Sequence, residues 1–207
     1  MNINSAQELT VWSFSQHFHA ESRGEEVIEN LLSLATKPVQ RKMLSAQLID
    51  EQKHVRLFSD VVNKIGRIDT ATEFADGYVQ LVTKQKSLAE KIFCFQILTE
   101  TVSAAFCTWR LGLGDGSEFR DVDREVLADE QRHLGMGRCL LSICDVDELE
   151  AILTPQRKLN LVREMANICT GVFTGPTTRE GEALIKTISR GLILEARSAS
   201  SKKQVIS

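Results

Sequence analysis

Apolar residues recur at intervals of three and four along most of the chain, the spacing that turns one face of an α-helix toward a core. Ser5 and Glu8 have the spacing of a capping box, which predicts a first helix running to about Ala35. Pro38 suits the first turn of a second helix that ends near Gly66. After a polar turn over 67–70, helical pattern resumes at Thr72 and runs to Leu111, with a break near residues 84–87. Gly112-Leu113-Gly114-Asp115-Gly116 is a stop, and Ser117 caps a fourth helix reaching about Ile143. Thr154-Pro155 opens a shorter helix, Gly175-Pro176 breaks the chain, and a last helix from about Thr178 ends near Arg197. The polar tail, 198–207, reads as frayed. No alternating β-branched run bounded by turns intervenes, so the fold class is all-α. One domain is expected over 1–207: long helices over 5–145, a helical extension over 146–197, then the tail.

Each half of the long-helix region carries nearly the same word. Asp50-Glu51-Gln52-Lys53-His54 returns 79 residues later as Asp129-Glu130-Gln131-Arg132-His133. A Glu and a His three positions apart lie one turn from each other on one helix face, so both can reach one metal ion. Two such pairs are half of a carboxylate-bridged dinuclear site; one Glu from each of two further helices completes it. Glu21 stands 30 residues before Glu51 and Glu100 stands 30 before Glu130, so the whole set repeats with the same offset.

All four glutamates fall on apolar stripes: Phe14, Phe18 and Ile28 flank Glu21, Leu44, Val55 and Phe58 flank Glu51, Ile97 and Ala104 flank Glu100, and Val126 and Leu134 flank Glu130. Burying one unpartnered carboxylate costs several kcal/mol, and four would unfold a domain with only ~5–15 kcal/mol of stability. The stripes supply no basic residue. Two divalent cations would balance four carboxylates and two neutral imidazoles. Asp50 and Asp129 are placed to receive the other ring N–H of a metal-bound histidine, reaching across to the His of the opposite helix. Glu25, one turn after Glu21, is an alternative or additional ligand on the first helix. His17, one turn before Glu21, reads either as a neighbour of the ligands or as a hydrogen-bonded core histidine.

Composition narrows the setting. The net charge is −3, with 25 basic and 28 acidic residues interspersed, so nothing points to nucleic acid. No secretory signal and no run of ~18 uninterrupted apolar residues is visible, so no membrane span is expected. Five cysteines form no CxxC pair and read as free thiols of a reducing cytoplasm.

The pattern Glu21…Glu51-x-x-His54…Glu100…Glu130-x-x-His133 resembles the ferritin-like non-haem di-iron carboxylate superfamily over roughly residues 8–143. The resemblance implies an antiparallel four-helix bundle, here with additional C-terminal helices. It also implies two iron ions, with a manganese–iron pair as the variant. Glu51 and Glu130 would be bridging or flexible ligands, His54 and His133 the nitrogen ligands, and Glu21 and Glu100 the terminal carboxylates. The complete doubled motif argues against simple iron storage, and no cysteine-rich iron module is present. Phe58 stands where radical-forming members keep a tyrosine, and the single tyrosine, Tyr78, lies outside the motif. Compact members such as the aldehyde-deformylating oxygenases match best in length.

The expected chemistry is therefore that of an oxygenase or oxidase: two ferrous ions reduce dioxygen to a peroxo-diferric species that oxidises a small organic substrate. An external electron donor is the expected further partner, and a homodimer is an admissible assembly. A ferroxidase without organic substrate and a metal-free helical interaction module are the alternatives. Phe58, Gln96, Ala104 and Gly137 are the candidate pocket residues, because Gly137 in the second repeat stands where the first has Phe58 and small side chains follow Glu100 and His133; the small residues suit close helix packing equally well.

Overall fold

The computed structural model describes residues 6–113, 119–173 and 179–200, and all regular structure among them is helical. Ser5, Gly114 to Ser117, Gly175-Pro176 and Thr178, which carried sequence expectations, lie outside the described residues, as do 201–207.

The expected first helix is two. Helix α1 (Ala6–Glu21) ends just before α2 (Gly24–Leu34) begins. At the joint the Ser22 hydroxyl donates to the Phe18 carbonyl four residues back (2.7 Å), a bond that bends helices. A Cβ on Gly24 would stand 2.8 Å from the Glu51 carboxylate, so the chain can pass this close only without a side chain. Helix α3 (Pro38–Ile65) opens on Pro38 and closes at Gly66 as expected. Helix α4 (Glu73–Thr83) starts after Thr72, whose hydroxyl caps Phe74 N–H, and ends at the expected break.

The next rod, Leu88–Gly112, holds the main surprise. It comprises α5 (Leu88–Ile92), a π-helical segment (Phe93–Thr99) and α6 (Glu100–Gly112). The Thr99 hydroxyl donates to the Cys94 carbonyl five residues back (3.1 Å), the reach of the wider π turn. Every residue from Ala89 to Ser103 is buried, so apolar spacing holds no trace of the change in pitch. By length and composition this rod is apolar enough to cross a membrane, although no uninterrupted apolar run flags it; 83% of its most apolar window is buried inside the protein, as in a central core helix.

Helix α7 (Arg120–Ser142) follows, then the short, unanticipated α8 (Val146–Ile152), then α9 (Pro155–Phe173) and α10 (Arg179–Ser200), which continues three residues past the expected end. Helix α1 packs on α3, α6 on α7, and α3 on α7. Helix α9 lies against α4, and α10 lies against α6 and α9. A large core runs from Leu9, Trp12 and Val27 through Tyr78 and Leu98 to Leu161 and Leu192. A smaller cluster gathers Phe14, Phe58, Val62, Cys107 and Val126. The four glutamates and two histidines of the repeated set are buried, on α1, α3, α6 and α7.

Candidate metal centre

Four elements each contribute to one buried constellation. Glu21 is the last residue of α1, and Glu100 is the first residue after the π segment. Glu51 and His54 lie one turn apart on α3, Glu130 and His133 one turn apart on α7. All six are between 0% and 6% exposed. Glu21, Glu51 and His54 bring ligand atoms within 4.8 Å of one another, and so do Glu51, Glu100 and His133. Glu51 therefore belongs to both groups. Glu130 is shared in a second way: its Oε1 lies 3.7 Å from His54 Nδ1 and its Oε2 lies 3.5 Å from His133 Nδ1. Each group of three can hold a metal ion.

The histidine orientation follows from their outer partners. His54 Nε2 lies 3.1 Å from Asp129, and His133 Nε2 lies 3.2 Å from Asp50. Each aspartate thus reaches the histidine of the other helix, the crossed arrangement read from the spacing. Asp129 is held in turn by Lys53 and by Arg132 (2.6 Å), and Arg132 also grips Asp50 (2.7 Å). An ionised carboxylate only accepts, so each Nε2 carries a hydrogen and each Nδ1 points inward, where a metal ion would take its lone pair. Both Nδ1 atoms and Glu130 Oε2 are buried with no hydrogen-bond partner. Orphaned buried polar atoms are rare, and three of them facing one cluster of carboxylates have the form of a cation site. Oxygen-rich ligation with two imidazoles suits iron or manganese, so the residues present fit the implied metal.

Glu25 is not part of this centre. It is exposed and accepts a hydrogen bond from Gln52 (2.9 Å). The joint at Ser22–Arg23 breaks the helical register, so a residue four places after Glu21 no longer shares its face. The helix-1 residue at the centre is Glu21.

Gln47 was missed. It is buried one turn before Glu51, donates to Glu100 and to Glu51 (3.2 Å), and accepts from Gln96. Its position on the Glu51 stripe was the available signal. Arg110 and Asp123 were missed with better reason, since only the fold joins them. Arg110 donates to both Asp123 oxygens and, through Nη2, to His17 Nδ1 (2.8 Å). Arginine has no acceptor, so His17 must carry its hydrogen on Nε2. That nitrogen lies 2.7 Å from the Ser103 hydroxyl and 3.1 Å from Glu21 Oε1, and Ser103 donates to Glu130 Oε1 (2.8 Å). Burial, reinforced by Arg110, lowers the His17 pKa and keeps the ring neutral. A chain of fixed hydrogen bonds thus runs from Asp123 through Arg110 and His17 to two of the carboxylates.

Electrostatics show what the cluster lacks. Burial, then repulsion from Glu21 and Glu130, pushes Glu51 well above the usual carboxylate range. Burial and the proximity of Glu130 do the same to Glu100. For Glu21 burial acts upward, but the neighbouring His17 (3.1 Å) and His54 (3.4 Å) prevail and hold it down. Burial lowers both ligand histidines, yet the facing carboxylates win, raising His54 to about 10 and His133 to about 12. Without a cation the cluster gathers protons, and a metal must displace them.

A pH dependence follows. Histidine titrates near ~6.5 when unfolded. Folded values of about 10 and 12 give stability that is full below ~6.5 and is lost as pH climbs toward them. Raised Glu51 and Glu100 act in the same direction. The chelated, metal-free protein is therefore expected to melt at progressively lower temperature between about pH 6.5 and 10. Circular dichroism melts with chelator check this; a flat profile over that window contradicts it.

A small cavity of about 30 Å³ lies against the carboxylates, with Glu21, Glu51 and Glu100 on its wall. Ala20, Phe74, Tyr78, Phe95 and Phe106 supply its apolar surface, and every lining residue is buried. Tyr78, on α4 and outside the motif, is nonetheless one wall of it.

The expected pocket residues lie elsewhere. Phe58 is fully buried and stacks on His17 (ring centroids 4.3 Å apart). Gln96 is bound to Gln47, and Ala104 does not line the cavity. Gly137 is a packing glycine: a Cβ there would meet Gln96 Cβ at 2.8 Å and Ile97 Cδ1 at 3.1 Å. The missing side chain lets helix α7 lie this close to the π segment here. Of the small residues after Glu100, Ser103 alone reaches the cavity.

Compared with known proteins, the chain matches no family model and no curated sequence.

Proposed function

We propose that this chain is a ferritin-like di-iron carboxylate protein and that it acts as a dioxygen-using oxygenase or oxidase on a small organic substrate. The observation that carries the reading is the set of three orphaned atoms, His54 Nδ1, His133 Nδ1 and Glu130 Oε2, facing buried carboxylates beside a cavity. The side-by-side rods α1–α2, α3, Leu88–Gly112 and α7 support a four-helix bundle, with α9 and α10 as the additional C-terminal helices.

Glu21 and His54 would hold one ion, Glu100 and His133 the other, with Glu51 and Glu130 shared between them. Two ferrous ions so held supply the electrons that reduce dioxygen. The chain's own residues do the rest. Asp129 and Asp50 orient the imidazoles, Gln47 steadies Glu51 and Glu100, and His17 presents a neutral N–H between Ser103 and Glu21. Aromatic side chains on the cavity wall would contact an organic substrate beside the carboxylates. None of the five cysteines, all among the described residues, forms a disulfide, which fits a reducing cytoplasm.

The test is anaerobic loading with ferrous iron, then mixing with dioxygen in the presence and absence of small organic compounds. Dioxygen uptake accelerated by an organic compound, with an oxidised product, is the expected result. Iron-driven uptake that proceeds equally without any organic compound and deposits ferric iron would replace this reading with a ferroxidase.

A further inference from the structure

The two oxygens of Glu51 are held differently. Oε1 accepts an amide hydrogen from Gln47 (3.2 Å) and lies 3.6 Å from His133 Nδ1. The same Gln47 amide donates its second hydrogen to Glu100 Oε1, which lies 3.5 Å from His133 Nδ1. Gln96 fixes Gln47 in turn by donating to its carbonyl oxygen. Oε1 is thereby committed to the group of Glu51, Glu100 and His133. The oxygen left for the group of Glu21, Glu51 and His54 is Oε2.

Oε2 lies over the first residue of α2. Gly24 is buried, three positions after Glu21, and shares the cavity wall with Glu21 and Glu51. It stands there because α1 stops at Glu21 and the chain turns through Ser22 and Arg23, with Arg23 N–H donating to the Ala20 carbonyl (3.0 Å). A Cβ on Gly24 would come within 2.8 Å of Glu51 Oε2, yet stay 3.4 Å from Cδ and 3.6 Å from Cγ. What must yield to a methyl group is therefore the end of a flexible side chain, not the backbone. Metal–ligand distances stay within about 0.2 Å of their ideal values, so even a small displacement of that oxygen takes it off an ion.

The geometry points to Gly24 as a positioning residue for the metal pair. Its missing side chain lets Glu51 Oε2 reach the ion of Glu21 and His54 while Oε1 serves the ion of Glu100 and His133. This role rests on the di-metal centre proposed above, and it gives the break between α1 and α2 a purpose. Gly24 touches neither ion and acts through Glu51, so the two ions depend on it unequally.

The experiment is titration of the chelated full chain with manganous ion, read by metal content and electron paramagnetic resonance, beside thermal melts of the metal-free proteins. Wild type is expected to bind two ions with the spectrum of a coupled pair. Gly24→Ala is expected to hold one ion at wild-type affinity and the second about 10–100-fold more weakly, with the spectrum of isolated ions. Its metal-free melting temperature should stay close to that of wild type. Added to Glu21→Gln, which already weakens the same ion, Gly24→Ala should cost nothing further; added to Glu100→Gln, it should weaken the last ion. Two ions at wild-type affinity in Gly24→Ala would overturn the inference and leave the metal centre standing. Equal losses in the Glu21→Gln and Glu100→Gln backgrounds would overturn it as well. A metal-free Gly24→Ala protein that no longer folds would assign the glycine to helix packing instead. Wild-type protein that binds no manganese would bring down the metal centre and the inference together.

Discussion

Glu51→Gln is expected to abolish metal-dependent stabilisation while leaving the metal-free protein as stable as before, or more so. The two halves of that result have one cause. Glu51 belongs to two of the three groups that could hold a metal, the other being His17, Glu21 and Glu130, so its loss would remove an oxygen from both proposed ions at once. In the absence of metal the same carboxylate is a liability, buried among Glu21 and Glu130, whose repulsion with burial already drives it toward its protonated form. An isosteric neutral amide keeps the volume and removes the repulsion. For the wild type, ligand linkage gives about 4 kcal/mol of stabilisation at free metal a thousandfold above Kd. At ~2–4 °C per kcal/mol for a domain of this size, that is a rise of roughly 10 °C. Paired thermal melts of wild type and variant, with chelator and with ferrous iron under anaerobic conditions, read both effects. A metal-free variant much weaker than metal-free wild type would mean that Glu51 serves the fold rather than an ion.

The second large effect is on the fold. Arg110→Ala leaves Asp123, 1% exposed, without the guanidinium that engages both its oxygens. Breaking one partner of a buried ion pair costs about 3–5 kcal/mol, because the remaining charge cannot reach water. Lost contact with Phe14, over whose ring the guanidinium sits at 4.3 Å, acts in the same direction. The melting temperature is expected to fall by roughly 6–20 °C at ~2–4 °C per kcal/mol. Replacing both partners with apolar residues, as in Arg110→Met with Asp123→Leu, is expected to recover most of that loss. A double variant no better than Arg110→Ala alone would show that the guanidinium acts through His17 and the aromatic rings, not through Asp123.

The parts of this molecule that could be read along the chain are those whose geometry is local. Glu51 with His54, and Glu130 with His133, meet because three residues make nearly one helical turn. The crossing of Asp50 and Asp129 to the opposite histidines was also expected, because a metal-bound imidazole needs a carboxylate for its other ring N–H. Glu25 was misread because two residues at Ser22–Arg23 break a register that apolar spacing carries straight through. The π segment left no mark in an environment buried on every side. At Gly137, where sequence left an opening and close packing both open, the structure shows close packing against Gln96 and Ile97. Arg110, Asp123 and His17 come from three different helices, and the cavity lies between α1, α4 and the Leu88–Gly112 rod. Such meetings depend on helix crossings that no local spacing encodes.

The central claim is that the buried cluster exists to hold two metal ions. Anaerobic titration of the chelated protein with ferrous iron, followed by metal analysis after desalting, tests it most directly. Two ions per chain, falling to at most one in Glu51→Gln and to none in the His54→Ala, His133→Ala double variant, is the expected result. A wild-type protein that retains no iron or manganese, or that keeps the same content when both histidines are removed, would contradict it.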